Sequence, residues 1–259
     1  MKRWGLILIA LFVSTTGCSA LHIADQTTGR AKKKVLFYSQ SFDYRHAVVA
    51  RPLTGDMSFA EKVFKDFVSK AGYEVYLSQD HNDLKGDQFK KYDAIALYTA
   101  GDPPINKDGL MKWISNGGAL IAIHPSTYTF IKCPEFVKMI GAIFAGHGEQ
   151  SEAVIKIEVP DHPATIMFDK EWRLVDEFYW YKNFSRDNIK VLMSIDTEKS
   201  NLEPLKMQRG KDYPMAWTNT KGKGRIFYTA FGHREDVWMN PLFQKHLLGG
   251  MAWALGENK

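Results

Sequence analysis

The stretch Gly117-Gly118-Ala119-Leu120-Ile121-Ala122-Ile123-His124-Pro125-Ser126-Thr127 decides the fold. An apolar run, Ala119 to Ile123, follows a Gly pair and runs into a polar turn of small residues. A buried parallel strand has this form, because both faces are covered and the pattern does not alternate. Such a strand delivers one side chain to the carboxyl edge of an open α/β sheet, where these folds bind ligands. In many enzymes of this build the strand tip carries a Ser or Cys nucleophile. Here it holds His124, which can ligate a metal or carry a proton but cannot repeat acyl chemistry unchanged.

Strand and helix signals alternate around this stretch. Val35 to Ser39 reads as a first strand, followed by a long loop, Gln40 to Met57. Ser58-Phe59-Ala60-Glu61 is a capping box that opens a helix with Phe59, Val63, Phe64, Phe67, Val68 and Ala71 on one stripe and Gly72 at its end. Tyr73–Leu77 and Ala94–Tyr98 read as strands, and Lys107–Ser115 as a helix. The fold class that follows is α/β: a doubly wound, mostly parallel, flavodoxin-like sheet with Val35–Ser39, Ala94–Tyr98 and Ala119–Ile123 at its centre. Past Gly141 the pattern changes. Ala153–Val159 alternates, Ile189–Ile195, Pro214–Thr218 and Gly224–Thr229 have β character, and Pro241–Leu255 is a last helix. The middle third reads as a β-rich excursion inserted around the site of one domain, residues 33–257.

With 259 residues, 45% of them hydrophobic and 13% aromatic, the chain can pack one large domain, and global disorder is excluded. The formal charge is 34 − 29 = +5. The basic residues are scattered apart from Lys32-Lys33-Lys34, so no face suited to nucleic acid is expected. At the N-terminus Lys2 and Arg3 precede an apolar run, Leu6–Val13, too short to span a bilayer, and small residues lead to Gly17-Cys18. This resembles a bacterial lipoprotein signal peptide, residues 1–17. It implies cleavage before Cys18, lipidation of Cys18, a tether over residues 18–32, and an exported protein anchored to a membrane. An ordinary secretory signal with an incidental Cys is the plainer alternative. With Cys18 acylated, Cys133 has no partner in the chain, and no Gly-rich elbow surrounds it, so it reads as a buried small residue.

Four of the eight histidines stand where strands should end at loops: His46, His124, His147 and His233. Gly, Pro or small residues flank each, where backbone can approach a ligand closely. A single such His is more often a structural hydrogen-bonding group; four, together with Asp176-Glu177, point to a shared site. None has the H-E-x-x-H spacing that fixes a metal locally, so ligands must converge through the fold. The expected metal set is His46, His124 and His147, for a divalent ion such as zinc. The expected catalytic set is His124, Glu177 and His233. His162, in Asp161-His162-Pro163, reads as a structural residue in a turn entering a short helix. Asp176, Tyr179, Tyr128 and Trp238 are candidate substrate contacts, since aromatic rings beside carboxylates are a common way to hold a sugar. Core packing is the competing reading for such rings. No G-x-G-x-x-G, P-loop or G-x-S-x-G pattern is present, which leaves nucleotide binding and esterase chemistry without support.

These residues resemble the ThuA-like (trehalose utilisation) family, whose fold is similar to that of class I glutamine amidotransferases. The likeness runs from Lys33 to Gly256. It rests on Ser39–His46, Lys91–Tyr98, Ala122-Ile123-His124 at the elbow, Ile140–His147, Asp161–Thr165, Asp176–Tyr179, Pro214–Trp217, Gly222–His233 and His246–Gly256. The resemblance implies a role in carbohydrate catabolism, on a sugar or on 3-keto-glycosides made by oxidising disaccharides such as trehalose. Tyr128 and Ala145 stand where family members carry Asp. The sequence therefore supports two functions: an exported enzyme acting on a small carbohydrate, or a non-catalytic carbohydrate-binding lipoprotein using the same cleft. A homo-oligomer is compatible with either.

Overall fold

The computed structural model describes residue 1 and residues 31–257. The signal segment, Cys18 and all but the end of the tether lie outside the described residues.

In chain order the elements are β1 (Lys34–Tyr38), α1 (Phe59–Lys70), β2 (Glu74–Ser78), β3 (Ala94–Leu97), α2 (Lys107–Ser115), β4 (Ala119–Ile123) and α3 (Pro134–Ile140). Then come β5 (Ile143–His147), β6 (Ser151–Ile157), β7 (Glu171–Asp176), β8 (Tyr179–Lys182) and β9 (Lys190–Ile195). The chain closes with α4 (Leu202–Leu205), β10 (Pro214–Lys221), β11 (Gly224–Thr229), α5 (Glu235–Met239) and α6 (Pro241–Ala254).

Nine strands form one sheet in the order β2-β1-β3-β4-β11-β10-β9-β6-β7. The first five are parallel neighbours and reproduce the flavodoxin-like order 2-1-3-4-5. The remaining pairs are antiparallel, and only β10 and β6 run against the common direction. The expected α/β class with a mostly parallel sheet is the one found. β3 and β4 are buried along their whole length and β1 everywhere but Lys34, as apolar strands covered on both faces must be. Helices α1, α5 and α6 lie on one face, while α2 and α3 cover the other.

Local chemistry sets the helix boundaries. The Ser58–Glu61 capping box is formed in both directions. The Asn106 side chain accepts from Gly109 N to cap α2, and Asn240 accepts from Leu242 N ahead of Pro241 in α6. Gly141, at φ +101°, closes α3 in the left-handed region.

Three expectations need correction. β2 begins at Glu74, one residue late. Pro163 opens a run of turns rather than a helix; the Nδ1 of His162 accepts from Ala164 N at 3.1 Å, which holds the chain in a turn. The middle third is mostly not an excursion either: β6, β7 and β9 extend the main sheet. Only the ribbon β5–β8 stands apart from it. β7 escapes sequence reading because its inward row, Trp172, Leu174 and Asp176, ends on a carboxylate.

Candidate functional site

Strand order reverses between β1 and β3, and the loops leaving these strands part there to form a crevice. The loop after β1 carries His46, the turn after β4 carries His124, and the loop after β11 carries His233. The β5–β8 ribbon brings His147 and Tyr179 opposite one another, and Glu177 lies in the link between β7 and β8.

His124 occupies the position a nucleophile takes at a strand-to-helix elbow. Its φ of +45° lies in the left-handed region, strained for any residue but Gly and tolerated only where the surroundings impose it. Those surroundings are explicit. Ser126 Oγ donates to the Leu97 carbonyl at 2.5 Å and the Ile123 carbonyl at 2.9 Å, and Tyr228 donates to the His124 carbonyl at 2.9 Å. The Nδ1–H of His124 donates to the Ala230 carbonyl at 2.5 Å, which fixes the tautomer and leaves the Nε2 lone pair facing the site.

Around that lone pair the polar groups converge. Tyr179 Oη is 2.8 Å from His124 Nε2 and 3.4 Å from His46 Nε2. His233 Nδ1 is 3.2 Å from His124 Nε2 and 3.2 Å from Glu177 Oε1, while Glu177 Oε1 is 3.6 Å from His124 Nε2. His46, His124, Glu177 and His233 each offer a ligand atom, and these atoms all lie within 4.8 Å of one another.

Burial acts on each ionisable group in this cluster. It lowers the His46 pKa to about 2, with the neighbouring His124 and His233 rings acting in the same direction. It also lowers that of fully buried His124. Both imidazoles are therefore neutral at pH 7. For Glu177 burial raises the pKa, but the adjoining His124 and His233 side chains outweigh it and hold the carboxyl well below the usual range, so it stays ionised. Burial raises Tyr179 well above the usual phenol range, keeping the hydroxyl protonated. The Glu177 carboxylate thus stands beside the neutral rings of His46 and His124.

A cavity of about 480 Å³ opens over this cluster. Glu177, His46 and Tyr179 line its floor, with the rings of Tyr44, Tyr128, Phe144 and His147 around them.

The sequence-derived residues fare differently. His46, His124, Glu177, His233 and Tyr179 meet in one cluster, and Tyr128 reaches the cavity wall. His147 lies outside the four-ligand set: its Nδ1 is 3.2 Å from Glu177 Oε2 and 2.7 Å from the Gly148 carbonyl, and its side chain is 43% exposed. His233 and Glu177 stand where His147 was expected. Trp238 and Asp176 are fully buried and do not line the cavity. Instead they hold the loop before His233: Asp176 Oδ2 accepts from Gly232 N at 2.8 Å, and Trp238 Nε1 donates to the Gly232 carbonyl at 2.8 Å. Burial raises the Asp176 pKa to about 7, against the two backbone N–H bonds it accepts.

Sequence reasoning missed Tyr44 and Phe144 on the cavity wall, and Tyr98, whose hydroxyl donates to the Gly232 carbonyl at 3.2 Å. Tyr98 had a signal, since it stands one residue past a buried strand as His124 does. Cys133 is a buried free thiol.

Known proteins give this geometry a context. A solved ThuA-like protein from Parabacteroides merdae superposes with a TM-score of 0.70 at 20% identity, over 88% of this chain and 91% of that one. Another, from Bacteroides uniformis, gives a TM-score of 0.71 at 18% identity, over 88% and 93%. A β-galactosidase from Bacillus circulans matches with a TM-score of 0.54 at 11% identity, over 87% of this chain but 31% of the galactosidase. At such identities these likenesses establish the fold alone. A comparison with curated protein sequences finds no match. The family model described as trehalose utilisation matches residues 34–254, nearly the whole described domain, and the chain belongs to the ThuA family.

Proposed function

We propose that the protein is an enzyme of carbohydrate catabolism that acts on a sugar or a 3-keto-glycoside, exported and held at a membrane through lipidated Cys18. Family membership supports a carbohydrate-related role. The observation that carries the catalytic reading is an ionised Glu177 beside a protonated Tyr179 on the floor of an aromatic-walled cavity. Aromatic walls suit the C–H faces of a sugar ring, and a carboxylate suits its hydroxyls.

The chemistry follows from charge. A carboxylate held this far down is a weak proton acceptor, so Glu177 clamps a substrate hydroxyl. Tyr179 donates to a substrate carbonyl or hydroxyl oxygen and stabilises the negative charge that grows there. His124, stacked on Tyr179 with ring centroids 4.4 Å apart, and His233 stand behind these groups and exchange the proton.

The test is incubation of the purified protein with 3-keto-glycosides of the trehalose type, followed by NMR of the sugar. Turnover is expected, with Tyr179→Phe lowering kcat by about 10²-fold or more, the range of a positioned proton donor. Sugar binding without product, unchanged in His124→Ala, would replace this reading with that of a carbohydrate-binding lipoprotein.

A further inference from the structure

We infer that the floor of the cavity is a binding site for one divalent transition-metal ion of the zinc class, held by His46, His124, Glu177 and His233 and open toward the cavity.

The first warrant is spacing. An ion about 2.0–2.1 Å from nitrogen and oxygen ligands in a tetrahedral arrangement holds them about 3.4 Å apart. Three ligand atoms already stand in such a triangle: His124 Nε2 to His233 Nδ1 at 3.2 Å, His233 Nδ1 to Glu177 Oε1 at 3.2 Å, and Glu177 Oε1 to His124 Nε2 at 3.6 Å. A ring nitrogen of His46 completes a set whose members all lie within 4.8 Å of one another. To take an ion, His46 would close on this triangle and the Tyr179 hydroxyl, now 2.8 Å from His124 Nε2 and 3.4 Å from His46 Nε2, would swing aside.

The second warrant is the way the lone pairs are aimed. A metal-binding imidazole usually donates its other N–H to a carbonyl or carboxylate, which fixes the tautomer and raises the basicity of the ligating nitrogen. His124 does this through Nδ1–H to Ala230, at an elbow whose strained backbone presents Nε2 to the cluster. His46 is 3% exposed and its Nδ1 is buried with no hydrogen-bond partner, a cost that the fold bears beside the cluster. The Nε2 of His233 lies 2.9 Å from the side-chain amide of Gln150. With an ion on Nδ1, that Nε2 carries the proton, and the Gln150 amide oxygen, which now accepts from Arg234 at 3.1 Å, would turn to accept it.

The third warrant is the donor set. Three imidazoles and one carboxylate suit zinc, cobalt, nickel or ferrous iron, and lack the all-oxygen shell that calcium or magnesium takes. Glu177 and His46 line the cavity, so a fifth coordination position beyond the four protein ligands would face the space a substrate enters. There an ion would polarise a carbonyl or hydroxyl oxygen. The inference rests on ligand geometry, independently of the sugar reading, and it takes the lone pair of His124 for the ion rather than for a proton.

The test uses the full chain, stripped with a chelator and titrated with Zn²⁺ or Co²⁺ in the absence of sugar. Calorimetry and elemental analysis should give one ion per chain, and Co²⁺ should produce the visible absorption of a four- or five-coordinate site. His46→Ala, His124→Ala and Glu177→Gln should each lose stoichiometric retention, whereas His147→Ala should keep it. Gln150→Ala should weaken binding by about 10–100-fold, the usual effect of removing an outer hydrogen-bond partner. Should His124→Ala unfold, His233→Ala at the partly exposed rim is the second variant, with circular dichroism as its check. No stoichiometric ion in the wild type, or equal loss in His147→Ala, would overturn the site. Metal binding without sugar turnover would leave the site standing and count against the function proposed above.

Discussion

At the scale of single residues, the eight histidines divide by what surrounds each ring, and that division was only partly legible beforehand. His46 could be found beside the small Ala47 in the loop after β1, His124 at a strand end and His233 after Gly232. His147 has the same neighbours, yet it stays at the cavity rim against Glu177 Oε2 rather than in the four-ligand cluster, because its place is set by the β5–β8 ribbon and no local signal reveals that ribbon. Trp238 and Asp176 were misread for a related reason. Their types suit a sugar site, but burial, which makes them clamps for Gly232, is a property of the assembled fold. His246 is the clearest structural case. It is fully buried, its Nδ1–H donates to the Ala164 carbonyl at 2.6 Å, and its Nε2 accepts from Thr229 Oγ1 at 3.1 Å. Burial lowers its pKa from 6.5 to about 4, against the hydrogen bond to Ala164, which raises it. The folded state therefore takes up the proton later than the unfolded chain does. This contribution to stability is fully present above pH 6.5 and is lost as pH falls from 6.5 toward 4, by about 3 kcal/mol at most. His246→Gln keeps a donor and an acceptor but no titrating group. Its denaturation midpoint should depend less on pH between 4 and 6.5 than that of the wild type, as urea titrations at several pH values can measure. An equal slope would mean that other groups carry the acid sensitivity.

At the scale of elements, legibility followed burial and length. The fully buried strands β3 and β4 and the well-capped α2 and α6 emerged within a residue or two of their observed bounds, because composition and caps agree there. The short strands of the ribbon did not: Ile143–His147 and Tyr179–Lys182 are paired by tertiary placement over the site. Between α2 and the β10–β11 hairpin, the decisive residue is Gly224. A Cβ at this position would stand 1.8 Å from the Ile114 carbonyl oxygen and 2.6 Å from its carbon, atoms of a helix backbone that cannot swing aside. Gly224→Ala must therefore push α2 away from the start of β11. The expected cost is about 3 kcal/mol, the upper end of overpacking effects, read as a lowered thermal midpoint. Gly210→Ala is a useful contrast, because space there is open and only its φ of +71° resists a side chain. If Gly224→Ala melts no lower than Gly210→Ala, the close packing of α2 on the hairpin is not what sets stability there.

At the scale of the whole molecule, the apolar core is assembled from residues Val35 to Ala254. The flavodoxin-like order explains why the site was legible as a place before it was legible as a set of ligands. The carboxyl edge and its reversal between β1 and β3 follow from the strand–helix alternation, whereas the order in which side chains meet above that edge depends on loops and on a ribbon without periodicity. The proposed membrane attachment depends on a different part of the chain, Cys18 and the apolar run before it, so localisation and fold should separate under mutation. Diacylglycerol on Cys18 together with an amide-linked chain would bury several tens of methylenes at about 0.8 kcal/mol each, far beyond the marginal binding of a single acyl chain. Cys18→Ser should therefore move the exported protein from the membrane fraction to the soluble fraction. Its thermal midpoint and its capacity for metal or sugar should stay unchanged, since every residue assigned to the core and the site lies at or beyond Val35. The measurement is fractionation after expression in a bacterial host, with mass spectrometry of the mature N-terminus. A wild-type protein that is soluble and carries a free Cys18 thiol would end the lipoprotein proposal and leave an ordinary secretory signal in its place.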